Sequence, residues 1–139
     1  MQTGYTILEH PSDLGIEARG SSLTEAFQCA ATALMSIILE LENVEIKEEI
    51  EITLRASDVS QLLVKWLSEI LYLYDGKQFV CKKFLIHTMD DTNIKAIVRG
   101  ENFSQAKHTT KLDVKAVTYH QLLVKEDDRG GLVRVFLDI

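Results

Sequence analysis

The chain has 139 residues, 46% of them hydrophobic and 26% charged, with only seven glycines and one proline. That length suits one domain able to bury roughly two-thirds of its unfolded surface, and the composition excludes collagenous, low-complexity and disordered classes. Fifteen basic against 21 acidic residues give a net charge of −6, which argues against a protein that grips nucleic acid mainly through phosphates, because counterion release needs a basic face.

In chain order, the N-terminus carries no charged-then-apolar leader and no apolar run approaches the ~18 residues of a membrane span. A soluble, cytoplasmic protein is the expectation, with residues 1–139 forming a single domain. Strands are expected at 4–9 and 14–19. Between them Glu9-His10-Pro11-Ser12-Asp13-Leu14-Gly15 gathers two carboxylates, an imidazole and the sole proline, as a tight loop would. Asp13 suits an Asx turn that accepts backbone N–H groups; it equally suits one oxygen of a hard-cation site, which needs several oxygens from separate segments.

Ser22-Leu23-Thr24-Glu25 reads as a capping box, followed by Leu23, Phe27, Ala30, Leu34, Ile37, Ile38 and Leu41 at three-and-four spacing, predicting a helix over 22–41. Residues 49–55 alternate with period two, as a half-buried strand does. Asp58-Val59-Ser60-Gln61 opens a second helix over 59–74, with Trp66 and its leucines on the core face and Asp75-Gly76 as the stop. Strands follow at 79–89, 94–99, 114–120 and 132–137, and Lys125 to Gly131 reads as a hairpin loop. Strands outnumber helices without alternating strictly with them, so the expected class is α+β, a layered, mainly antiparallel or mixed sheet with two amphipathic helices covering one face. Within 114–120, alternation places Lys115, Val117 and Tyr119 on one face and Ala116, Thr118 and His120 on the other, separating Lys115 from His120.

Motif chemistry is sparse. There is no GxSxG elbow, phosphate loop, HExxH pair or GxGxxG, and the four histidines share no i, i+4 spacing. Cys29 and Cys81 lie far apart without a CxxC, so buried reduced thiols are expected. The chain ends Arg134-Val135-Phe136-Leu137-Asp138-Ile139, a strand pattern that runs to the last residue, whereas termini usually fray unless tied down. Asp138 beside the terminal carboxylate puts two negative groups together, whose repulsion is relieved by solvent, a basic side chain or a cation.

Four separated segments resemble the archease family: Leu8 to Gly20 with Leu23-Thr24-Glu25-Ala26-Phe27 and Ala30-Ala31, Leu62 to Leu73, Val114 to His120, and Val135 to Ile139. Together they span nearly the whole chain in order. The resemblance implies an activating partner of an RtcB-type tRNA-splicing RNA ligase that speeds the ligase's own guanylylation and sustains its turnover. It implies a divalent metal, described as calcium, held by Asp13, Asp138 and Ile139, and also brings an association with tRNA methylation. His10 and Lys115 stand as partner-facing or supporting residues. Pro11, where the family often has Thr, and Lys65, where it more often has an acidic residue, depart from the pattern without touching Asp13 or Asp138. The competing expectations are a metal-dependent hydrolase using Asp13, Asp138 and His10, and a chaperone-like accessory module for tRNA modification.

Overall fold

Local signals in the sequence set the elements of the computed structural model, which describes residues 3–9 and 12–139. In order these are β1 (Gly4–Glu9), β2 (Asp13–Gly20), α1 (Leu23–Ile38), β3 (Glu48–Arg55), α2 (Val59–Asp75), β4 (Phe79–Met89), β5 (Asn93–Asn102), β6 (Ala116–Val117), β7 (Leu123–Asp127) and β8 (Gly130–Asp138). The Ser22 hydroxyl accepts the Glu25 N–H at 3.2 Å, satisfying one of the free donors of α1. Glu25 in turn accepts from the Ser21 N–H and hydroxyl, one residue before the cap. Glu126 of β7 accepts the Leu23 N–H at 2.8 Å and ties the helix start to the C-terminal hairpin. The start of α2 has the same form, with Asp58 accepting from Gln61 and Gln61 from Ser57.

The hydrophobic period predicts α1 as far as residue 41, yet the helix stops at Ile38. Its last carbonyls find other donors: Lys111 N–H bonds the Ile38 carbonyl and Leu112 N–H that of Ile37, while Leu39 turns extended and bridges Thr110. Satisfying the orphan carbonyls from a loop removes the gain from a further turn.

All strand pairs are antiparallel. One sheet runs β1-β2-β8, with β6 and β7 sharing the far edge of β8; the other is β3-β5-β4. Helix α1 packs against β2 and β8 of the first sheet and β4 of the second, so it is buried on more than a single stripe, and Ala26, Ala30, Ala31 and Ala33 let the strands approach closely. Trp66 of α2 is fully buried, donates its indole N–H to the Phe27 carbonyl at 2.9 Å and meets Phe84 edge-on. Apart from Phe136 and Val64, every buried hydrophobic residue belongs to one cluster drawn from both sheets and both helices.

Two expectations are corrected. Only Ala116 and Val117 of the segment 114–120 pair as strand, because the chain turns through Tyr119 to Leu122 with Gln121 at φ 49°. Residues 125–127, read as loop, belong to β7, and the hairpin is closed by Asp128 and Arg129 alone. Gly130 follows that turn at φ 131°, where a Cβ would lie 2.2 Å from the Gly20 carbonyl oxygen.

Candidate metal centre

Side chains alternate across β2 and β8, so Leu14, Ile16 and Ala18 with Leu137, Val135 and Val133 face the core, while Asp13, Gly15, Glu17 and Arg19 with Asp138, Phe136, Arg134 and Leu132 face outward. Asp13 is the first residue of β2 and Asp138 the last of β8, and the two are direct partners in the ladder. Side chains at such opposed positions have Cβ atoms about 4.5–5.5 Å apart. Asp13 is half-buried with its Oδ1 withdrawn from solvent, and Asp138 is exposed. Ile139 follows, half-buried and packed against the core margin. Among the described residues, no basic side chain forms an ion pair with Asp138.

The other edge of β8 is held at the same level. Lys115 N–H donates to the Asp138 carbonyl at 2.7 Å, and Ala116 lies across from Asp138. The Lys115 side chain is exposed. His10 lies outside the described residues. The structure therefore brings Asp13 and Asp138 together, with Ile139 next in sequence, and places the Lys115 N–H on the Asp138 carbonyl. Among the described residues no group of three His, Cys, Asp or Glu side chains is arranged to hold a metal. The two aspartates supply oxygen donors only, which suit a hard divalent cation rather than a soft one.

Sequence alternation missed the floor of this corner. Phe136 faces outward yet is only 2% exposed. Its ring lies over Gly15, where a Cβ would come within 2.7 Å of the Phe136 Cε1 and 3.1 Å of the Leu8 Cβ. His120 meets the ring edge-on at 5.9 Å. The turn that delivers His120 is pinned to β8: Thr118 N–H and hydroxyl both donate to the Phe136 carbonyl, at 3.0 and 2.9 Å, and the same hydroxyl accepts the His120 N–H at 3.2 Å. The separation of Lys115 from His120 by strand alternation has no basis once the strand is two residues long. A glycine inside a strand is the signal that could have revealed this packing.

Other titratable groups serve the fold. Cys29 and Cys81 are free; burial pushes the Cys81 thiol up to about 12, the opposite of a reactive thiolate. Glu101 of β5 is buried and accepts from the Glu45 N–H at 2.7 Å, the Lys107 ammonium at 2.9 Å and His108 Nε2 at 3.0 Å. Because His108 Nδ1 accepts the Ser104 N–H at 2.9 Å, Nε2 carries the proton that it donates to Glu101. Depressions of about 390 Å³ by Glu51, His87 and Lys95 and about 490 Å³ by Gly4, Cys29 and Lys82 are lined by residues other than the aspartate pair. No helix among the described residues is long and apolar enough to cross a membrane.

Residues 5–139 match the archease protein family (MTH1598/TM1083). The chain belongs to the archease family. It is 34% identical over 138 residues to the protein archease of Sulfolobus acidocaldarius, covering 99% of each chain. Its identity to the archease of Methanosarcina mazei is 35% over 139 residues, covering 97% of this chain and 95% of that one. The solution structure of Methanobacterium thermoautotrophicum protein 1598 superposes with a TM-score of 0.81 at 29% identity, covering 99% of this chain and all of that one. The two-helix, two-sheet α+β fold is thus the fold of a solved archease-family protein.

Proposed function

We propose that this archease is a non-catalytic, cytoplasmic activator of an RtcB-type RNA ligase, promoting the ligase's guanylylation and repeated turnover in tRNA splicing or RNA repair. A divalent cation, calcium as the family resemblance implies, is held by Asp13, Asp138 and the Ile139 carboxylate, an oxygen donor set that suits a hard ion. The observation that carries this reading is the placement of Asp13 and Asp138 on one rung of the β2–β8 ladder, next to the end of the chain. The cation supplies positive charge for positioning oxygen-bearing groups of the partner. The chain's own residues fix that charge in place: the β2–β8 ladder holds both carboxylates, the Lys115 N–H fixes the Asp138 carbonyl, and Ile139 packs the terminus down. The net charge of −6 favours approach to the basic surroundings of an RNA-binding ligase over direct capture of RNA.

The test mixes purified chain with its cognate ligase and GTP and follows ligase guanylylation. Wild type accelerates it, and Asp13→Ala and Asp138→Ala do not. Full activation by both variants sinks the site, and no acceleration by wild type sinks the ligase role. Phosphoester turnover by the isolated chain, abolished by chelation, favours a metal-dependent hydrolase instead. Rescue of a tRNA methyltransferase without any effect on the ligase favours the accessory-module reading.

A further inference from the structure

We propose that the free edge of β4, in the groove over α1 that faces β1, takes up an extended, acidic segment of a partner protein by strand addition. The inference is independent of the cation and ligase readings.

Topology leaves the groove. Among the described residues β1 pairs only with β2 and β4 only with β5, so each is the outer strand of a different sheet. Both pack on α1, and the depression of about 490 Å³ lies between them. Gln28, Cys29 and Thr32 of α1 form its floor, with Tyr5 of β1 on one side and Lys83 and Phe84 of β4 on the other.

The backbone of β4 is aimed into this space. The Ile86 N–H turns away from β5 and donates to the Gln28 side-chain oxygen at 2.8 Å, an amide oxygen standing where the carbonyl of a neighbouring strand would stand. In an antiparallel ladder the groups of alternate residues point the same way, and no bulge separates Ile86 from Phe84. The Phe84 N–H and carbonyl therefore also face the groove, where no strand of the described residues meets them. An edge of this kind is a template for one more strand.

Charge selects the occupant. Lys83 is exposed and, among the described residues, makes no ion pair. The neighbouring Lys82 ammonium donates to the Val44 carbonyl at 2.8 Å. Glu25 also lines the groove but is engaged by Thr3 and Ser21. A carboxylate on an added strand finds an unlike charge at Lys83. A second copy offering its own β4 would bring two lysines and no acid, and one offering its acidic β3 would pair head to tail into an open-ended array. The segment is therefore assigned to a different protein.

The test titrates the full-length, ¹⁵N-labelled chain with a capped heptapeptide of alternating valine and threonine that carries glutamate at its centre. The amides of β4 around Phe84 should shift saturably, and exchange of the Phe84 amide proton should slow about fivefold or more at saturation. Lys83→Glu should weaken binding about fivefold or more, and should prefer the same peptide with lysine in place of glutamate. Of the two peptides N-methylated at one or the other alternate set of amides, at least one should lose binding, because pairing runs through the backbone. The proposal is overturned by an absence of saturable shifts, by shifts that leave β4 untouched, by equal affinity of wild type for the glutamate and lysine peptides, or by undiminished binding of both N-methylated peptides. Concentration-dependent shifts at Phe84 without peptide would give the edge to a second copy and overturn it as well.

Discussion

Asp13 and Asp138 come from opposite ends of the chain and meet as direct partners on the terminal rung of the β2–β8 ladder. Like charges directly opposite in a sheet repel, and the proposed cation would offset that repulsion. In chelator, Asp138→Asn should be as stable as wild type or slightly more so. In calcium at about 100 times its Kd, wild type should gain about 2.7 kcal/mol and the variant far less. Urea denaturation in the two buffers checks the crossing of ranks, and an identical calcium response in the two proteins refutes it.

The terminal carboxylate makes a separate prediction. Ile139 is anchored through its side chain, so adding one glycine after it converts the carboxylate to an amide without unseating the isoleucine. Calcium affinity should drop at least tenfold, about 1.4 kcal/mol, with the melting temperature in chelator unchanged. Calorimetry with tagged and untagged C-termini provides the comparison; equal affinities would remove Ile139 from the donor set.

Much of this arrangement is legible in the residues, for reasons that differ by element. Caps at Ser22 and Asp58 and clean periodicities mark both helices and most strands, since these signals are local. The end of α1 at Ile38 and the shortness of β6 are not local: the first depends on Lys111 and Leu112 arriving to bond the helix carbonyls, the second on a turn at Gln121, whose φ of 49° a side-chain pattern does not reveal. Asp13 and Asp138 each draw attention alone, but only the strand register places them opposite one another. Glu101 and His108 carry no motif at all, and their pairing depends on β5 and the loop after it folding together.

Gly15 tests the floor under the aspartates. An alanine Cβ there would sit 2.7 Å from the Phe136 ring and 3.1 Å from the Leu8 Cβ, forcing the ring off its seat over Gly15 and beside His120. Overpacking of this kind costs about 1–3 kcal/mol. Gly15→Ala should be destabilised by that amount, and Phe136→Leu introduced with it should recover part of the loss, making the pair non-additive. Chemical denaturation of the two single variants and the double variant measures this, and strict additivity would show that the two positions do not press on one another.

Glu101 sets the acid sensitivity. Burial alone would raise its carboxyl, but the Glu45 N–H, His108 and the Lys107 ammonium outweigh that and hold it at about 2, below the ordinary 4.5. A carboxyl with a depressed folded value binds fewer protons folded than unfolded, so its stabilisation is complete above about pH 5 and is lost as pH falls from 4.5 toward 2. Glu101→Gln keeps the size but turns an amide N–H₂ toward groups that are themselves donors, His108 Nε2 and Lys107. At pH 7 the variant should therefore be less stable by about 1–3 kcal/mol, the usual penalty for a buried polar group left without its partner. Between pH 4.5 and 2 wild type should lose that advantage, so the two stability curves converge. Glu17 and Asp90 are also held below their ordinary values and slope both curves alike, which makes the difference between the proteins the quantity to follow. A gap that stays constant from pH 7 to pH 2 would show that the carboxylate's charge does not stabilise the fold.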